Sequence, residues 1–201
     1  MLARPSHSIT APSPADLSFP PTDSLPARIL IDGRSGSGKT ELASALVAGW
    51  PDAQLVRLDD LYPGWDGLDA ASTMVHTTLL RDFRWQRWDW ATDQAAEWHI
   101  LDPHRPIVVE GCGALTAPSR ALATLALWVE LDTPTRKRRA LARDGEVYTR
   151  EWDRWAAQEE RFLARENPRT LADAVVDGHH VTRNLEQWRG AHLVRGDSMG
   201  E

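Results

Sequence analysis

The chain has 201 residues, a formal net charge of −6, an apolar fraction of 42% and one cysteine. That length suits a single domain with a sizeable core. The acidic balance argues against a broad nucleic-acid or anionic-membrane surface, each of which needs a basic stripe, and the lone Cys112 excludes an internal disulfide and fits a reducing compartment.

In chain order, residues 1–24 are rich in Pro, Ser, Ala and Thr and read as a flexible lead-in ahead of one domain over 25–201. The first residues lack the apolar core of a signal peptide. The longest largely apolar stretch, 121–129, is too short to cross a bilayer, so the expected setting is the cytoplasm. Residues 28–31 form a short buried strand, and 41–48 a helix with Leu42, Ala45, Leu46 and Gly49 on one face. A second strand is expected at 54–58, ending in Asp59-Asp60-Leu61-Tyr62-Pro63-Gly64. Residues 70–100, with many tryptophans, read as mostly helical.

Residues 106–109 have the apolar density of a strand inside a parallel sheet, and Glu110-Gly111-Cys112-Gly113 follow. Another strand runs over 125–131 and stops at Asp132-Thr133-Pro134. Helices are expected at about 134–143 and 149–165, and a fifth strand at 174–176; residues 184–201 carry weaker signals. Alternating strands and helices predict an α/β three-layer sandwich, a five-stranded, mostly parallel sheet covered on both faces. Ligands of such sheets bind beyond the carboxyl ends of the strands, where the glycine loop, Asp59, Glu110 and Asp132 all fall.

The most specific motif is Gly33-Arg34-Ser35-Gly36-Ser37-Gly38-Lys39-Thr40, which fits G-x-x-x-x-G-K-[ST] between a strand and a helix. Backbone N–H groups from Gly33, Ser35, Gly36, Ser37 and Gly38 would turn toward a polyphosphate at the positive end of a helix. Lys39 would reach the β- and γ-phosphates and Thr40 would hold Mg²⁺. Only Lys39 and Lys137 are lysines, against many arginines, so a lysine at the position the loop requires is informative.

Asp59 and Asp60, at a strand end, could take a proton from an attacking hydroxyl or bind Mg²⁺. Glu110 is placed as a second magnesium-side carboxylate, with Gly111 and Gly113 allowing close backbone approach. The arginines at 136, 138, 139 and 143 form either a solvated face or a lid that offsets phosphoryl charge; Arg143 and Arg150 are the preferred lid residues. Trp85, Trp88, Trp90 and Trp98 either pack or stack on a flat substrate, and Asp89 could bond a sugar hydroxyl. Trp152 and Trp155, at helical spacing, read as packing. His179-His180 lack zinc spacing, and Cys112 has no identifiable nucleophile partner.

Taken together, these segments resemble the uridine kinase-like P-loop kinases, the group that includes uridine–cytidine, nicotinamide riboside and pantothenate kinases and phosphoribulokinase. Asp59-Asp60-Leu61-Tyr62 looks like that family's D-[DS]-F-[YF], Val108-Val109-Glu110-Gly111 like its V-[VF]-E-G, and Trp88-Asp89-Trp90 sits where uridine kinases have Y-D-F. Leu131-Asp132-Thr133, with Arg136, Arg139 and Arg143-Asp144, looks like its strand and lid, and residues 172–176 like its late A-D-V-[VI] strand. The likeness spans about 28–178, with Asp93 where uridine kinases have a histidine and a lid segment, 144–150, that is shorter and lacks G-R-D. Those departures argue against uridine itself.

The resemblance implies an ATP- and Mg²⁺-dependent phosphotransferase acting on a hydroxyl of a nucleoside-like or vitamin-precursor acceptor, without nucleic-acid or membrane partners. Asp59 would be its base, with Lys39 and Arg143 as the other catalytic groups and a lid at about 133–150. The phosphate loop and Arg139 would hold ATP, Thr40 and Glu110 the metal, and Asp59, Tyr62, Trp88, Asp89 and Arg150 the acceptor. A nucleoside monophosphate kinase or a gluconate- or shikimate-type kinase stays open, with Arg81, Arg84 and Arg87 as candidates for an acceptor phosphate. So does a nucleotide-binding regulator without transfer activity, although the guanine-reading N-K-x-D is absent.

Overall fold

The computed structural model describes residues 26–181; the segment 1–24 and the tail from 184 lie outside the described residues. The chain runs β1 (Arg28–Gly33), α1 (Lys39–Ala48) and β2 (Gln54–Arg57), then a 3-10 turn (Leu58–Asp60). Next come α2 (Leu68–Met74), extended by a π-turn (Val75–Leu79), β3 (Arg84–Asp89), β4 (Gln94–Ile100), β5 (Ile107–Glu110) and α3 (Ala117–Arg120). The chain continues through β6 (Leu125–Glu130), α4 (Thr133–Glu166), α5 (Pro168–Leu171) and β7 (Ala174–Asp177).

Five strands form one sheet in the order β2-β5-β1-β6-β7. Every pairing in it is parallel, with Ile31 opposite Glu110 and Asp32 opposite Trp128. Burial on both faces explains the unbroken apolar runs. Ile29, Ile31, Val108, Leu127 and Val129 pack with Leu42 and Ala43 of α1. Leu30, Val109 and Ala126 face the opposite layer, with Leu68, Val75, Leu79, Trp155 and Phe162. The face of α1 is turned slightly from the expected one: Leu42 and Ala43 are buried, whereas Gly49 is its exposed cap.

The helical reading of residues 70–100 holds only for α2 and its π-turn. Residues 84–100 instead form an antiparallel hairpin, β3 with β4. Its stabilising contacts run across the strands: Trp85 stacks on His99 with ring centroids 4.2 Å apart, and Arg87 pairs with Glu97 at 2.7 Å. Cross-strand partners are invisible to a helical periodicity count, and aromatic residues favour a pleated surface. Asp89 closes the turn by accepting from the Ala91 N–H at 3.0 Å.

The two helices expected at about 134–143 and 149–165 form one run, α4, broken at Gly145 (φ 70°, ψ −153°). Asp132 caps its start by accepting from the Thr135 N–H at 2.9 Å. A φ this positive suits glycine, and no neighbouring atom lies near the position of an added Cβ. Residues on both arms of the run, Arg136 before the break and Trp155 and Glu159 after it, contact Ser35 of the phosphate loop.

Candidate active site

The phosphate loop turns from β1 into α1. Gly36 has φ 76°, and a Cβ there would collide with the backbone carbonyl of Arg136 on the first arm of α4. The loop can therefore pass under α4 only with glycine at this position. Asp32, at the end of β1, is fully buried and accepts from the backbone N–H groups of Gly33 (2.6 Å), Gly113 (3.2 Å) and Leu115 (2.8 Å). It thereby pins the loop's first residue to the turn after β5.

Lys39, the first residue of α1, is buried, and its Nζ donates to the Arg34 carbonyl at 3.2 Å and to Cys112 Sγ at 3.5 Å. Burial works against its charge, but the nearby carboxylates of Glu110 and Glu159 outweigh that and keep the ammonium protonated. Thr40 Oγ1 donates to Glu110 Oε1 at 3.1 Å. Glu110 is buried at the end of β5, and burial raises its carboxyl above the usual range despite the nearby Lys39.

These groups border a cleft of about 800 Å³. It brings together Ser35, Gly36, Gly38, Lys39, Thr40, Asp59, Tyr62, Glu110, Arg139 and Arg143 of the expected site residues. Gly33 and Ser37 lie behind this lining; Ser37 Oγ is buried and has no partner among the described residues. Arg139 Nη1 donates to the Gly178 carbonyl at 2.9 Å, joining the first arm of α4 to the end of β7.

Trp88, Asp89 and Arg150 do not line the cleft. Asp89 is engaged in the hairpin turn, and Arg150 sits on the surface 3.7 Å from Glu146, its helical neighbour at i−4. The tryptophan that reaches the site is Trp90, whose Nε1 donates to the Asp59 carbonyl at 2.8 Å. With Tyr62, Trp65, Tyr148 and Trp155 it forms an aromatic wall. Trp65 lies at its centre, 5.1 Å from Trp90 and 5.6 Å from Tyr148 between ring centroids. Arg81, Arg84 and Arg87 are absent from the lining; Arg87 is held by Glu97, and Arg84 lies over the Trp98 ring.

Of the groups packed around the loop, Glu159 is the one the sequence did not single out. Glu159 and Cys112 are buried against it, and Arg136, expected in a lid, is 2% exposed with Nη1 on the Ser35 carbonyl at 3.0 Å. Burial pushes the Cys112 thiol up to about 12, which leaves it neutral and unreactive. Glu159 had a legible signal: it shares a helical stripe with Tyr148, Trp152, Trp155 and Phe162, all buried. A carboxylate on a buried stripe needs a polar partner.

The residues present suit a hard cation bound with a polyphosphate. Thr40 and Glu110 offer a hydroxyl and a carboxylate oxygen side by side, and among the described residues no cluster of three His, Cys, Asp or Glu could hold a metal unaided. Magnesium typically takes one or two such ligands and completes its shell with phosphate oxygens and water.

No family model matches this chain, and no curated protein matches it in sequence. Among solved structures, it is similar to a possible uridine kinase from Bacillus stearothermophilus: 18% identity, 78% of this chain and 91% of that one covered, TM-score 0.54. It is also similar to a gluconokinase from Sinorhizobium meliloti 1021: 16% identity, 88% and 99% covered, TM-score 0.51. The chain thus shares with these solved structures an α/β fold built on a five-stranded parallel sheet, with the glycine loop between its first strand and first helix. Among the described residues, no helix is long and apolar enough to cross a membrane.

Proposed function

We propose that this protein is an ATP- and Mg²⁺-dependent phosphotransferase that moves the γ-phosphoryl group of ATP to a hydroxyl of a small, uncharged acceptor, nucleoside-like or a vitamin precursor. The observation that carries the reading is one cleft with a phosphate loop on one wall and Asp59 beside an aromatic surface on another. In this reading the loop N–H groups receive the polyphosphate and Lys39 offsets β/γ charge. Thr40 and Glu110 would hold a magnesium ion, which would supply positive charge to offset that of the phosphates. Asp59 orients the acceptor hydroxyl and takes its proton as the oxygen attacks phosphorus; the bond from phosphorus to the β–γ bridging oxygen breaks and ADP leaves. Arg143 and Arg139, on the first arm of α4, offset charge on the transferred group and exclude water.

The acceptor end of the cleft explains the choice of substrate class. Its lining is aromatic and acidic, and the cations that border the cleft, Lys39, Arg139 and Arg143, belong to the loop or to α4. A carboxylate- or phosphate-bearing acceptor calls for arginines there, and Arg81, Arg84 and Arg87 are placed elsewhere. A flat, uncharged body stacked near Trp65 and Trp90 suits the wall better. A cytoplasmic setting belongs to the same reading.

The test is ATP consumption with Mg²⁺ across nucleosides, vitamin precursors, sugars and nucleoside monophosphates, with Lys39→Ala as the blank. Acceptor-dependent ADP release that the variant lacks is the expected result. ATP binding with no consumption on any acceptor would instead point to a nucleotide-binding regulator.

A further inference from the structure

All three polar groups of Ser35, in the phosphate loop, are fastened to α4. The N–H donates to Glu159 Oε1 at 2.8 Å, the carbonyl accepts from Arg136 Nη1 at 3.0 Å, and the hydroxyl accepts from Trp155 Nε1 at 3.0 Å. Arg136 lies on the first arm of α4, before Gly145, whereas Trp155 and Glu159 lie on the second. One loop residue is therefore gripped from both sides of the helix break.

Glu159 is the acidic member of this grip and is 3% exposed. It also accepts from Arg34 Nε at 2.9 Å and from Cys112 Sγ at 3.4 Å, while Cys112 Sγ accepts from Lys39 Nζ at 3.5 Å. Arg136 Nη1 stands 3.9 Å away. Two guanidinium groups, Arg34 and Arg136, thus face one buried carboxylate, and Lys39 is joined to it through Cys112, around the segment that would receive a polyphosphate. A carboxylate so placed balances charge without competing for the cleft, and it bonds the loop backbone directly.

We propose that Glu159 is a positioning residue for phosphate binding: it fixes the loop through Ser35 and Arg34, and Lys39 through Cys112, and so ties the order of the loop to the second arm of α4. This rests on the nucleotide reading of the loop. An isolated loop must pay conformational entropy to order itself around a ligand, and an anchor that pre-orders it improves affinity by removing that cost. Removing the carboxylate takes the nearby counter-charge from buried Arg136 and one of two from Arg34, which also pairs with Glu160 at 2.5 Å, and it breaks the Cys112 link to Lys39, so the loop and the lysine side chain should spread.

The test is binding of Mg·ATP by calorimetry without acceptor, with thermal melting and acceptor KM alongside, for wild type, Glu159→Gln, Cys112→Val and Cys112→Ser. Glu159→Gln keeps an oxygen for the Ser35 N–H and loses the charge. It should weaken ATP binding about tenfold while acceptor KM stays within about twofold. Cys112→Val should weaken ATP binding several-fold, and Cys112→Ser, whose hydroxyl can take both bonds, should recover most of that loss. The proposal is overturned if Glu159→Gln binds ATP as wild type does, or if ATP affinity and acceptor KM worsen together in step with lost stability. Should Glu159→Gln fail to fold, the Cys112 pair decides by the same comparison. Wild-type protein that does not bind Mg·ATP would overturn the kinase reading as well; retained binding in every variant would overturn this inference alone.

Discussion

The hydroxyl of Thr40 donates to Glu110 Oε1 at 3.1 Å, joining the first turn of α1 to the end of β5. This contact brings together the two oxygen ligands proposed for magnesium. Glu110→Gln keeps a hydrogen-bond acceptor and loses the charge, so the Mg²⁺ concentration for half-maximal activity should rise about tenfold, with much of kcat recovered at high Mg²⁺. An unchanged Mg²⁺ titration would remove Glu110 from the metal site.

Asp59→Asn should lower turnover by about 10²- to 10⁴-fold, the usual contribution of a positioned general base. ATP affinity should stay within about twofold, because the loop and Lys39 are untouched. Single-turnover kinetics would show the loss in the chemical step; near-normal turnover would move the base elsewhere.

Gly36→Ala meets two obstacles at once, a backbone at φ 76° and the Arg136 carbonyl where the methyl group would sit. Strain of about 1–3 kcal/mol is expected, released by moving the loop away from α4. The variant should therefore lose ATP binding and melt several degrees lower. Wild-type affinity in Gly36→Ala would mean that the close approach is not required.

Burial pushes the Asp32 carboxyl from 3.8 up to about 7, against the N–H groups of Leu115, Gly33 and Gly113 and the charge of Lys39. The folded state therefore favours the protonated form more than the unfolded chain does. That contribution is fully present below about pH 3.8 and is lost as pH rises through about 7. It amounts to a few kcal/mol at most, on the order of 1.4 kcal/mol for each pH unit between the two values. Asn at position 32 does not titrate, so the stability advantage of wild type over Asp32→Asn should shrink between pH 5 and pH 8 in denaturant melts. A constant difference across that range would show that Asp32 does not titrate there.

Trp65→Ala removes the centre of the aromatic wall while leaving the loop intact. Acceptor KM should rise at least tenfold with little change in ATP affinity, consistent with about 1–3 kcal/mol lost on removing a large apolar contact. Equal effects on both substrates would make Trp65 a packing residue.

The sequence alone determined what depends on neighbouring residues. The phosphate loop is contiguous, Asp59 and Glu110 follow their strands directly, and Gly145 breaks the helical pattern where the two predicted helices part. Apolar runs of buried strands likewise require only local reading, because both faces of a parallel sheet are covered. The tertiary structure decided what depends on partners far along the chain. Ser35 and Glu159 are 124 residues apart and meet at 2.8 Å, and no spacing rule links them. Within the mostly helical reading of 70–100, residues 84–100 form a hairpin because their tryptophans and charges find partners across a turn, and that pairing puts Trp90, in place of Trp88, beside Asp59. Side-chain burial settled the rest: Arg136 carries the charge of a lid residue, but the fold buries it against the loop. A charge pattern fixes which groups are available, and only packing fixes which of them face the cleft.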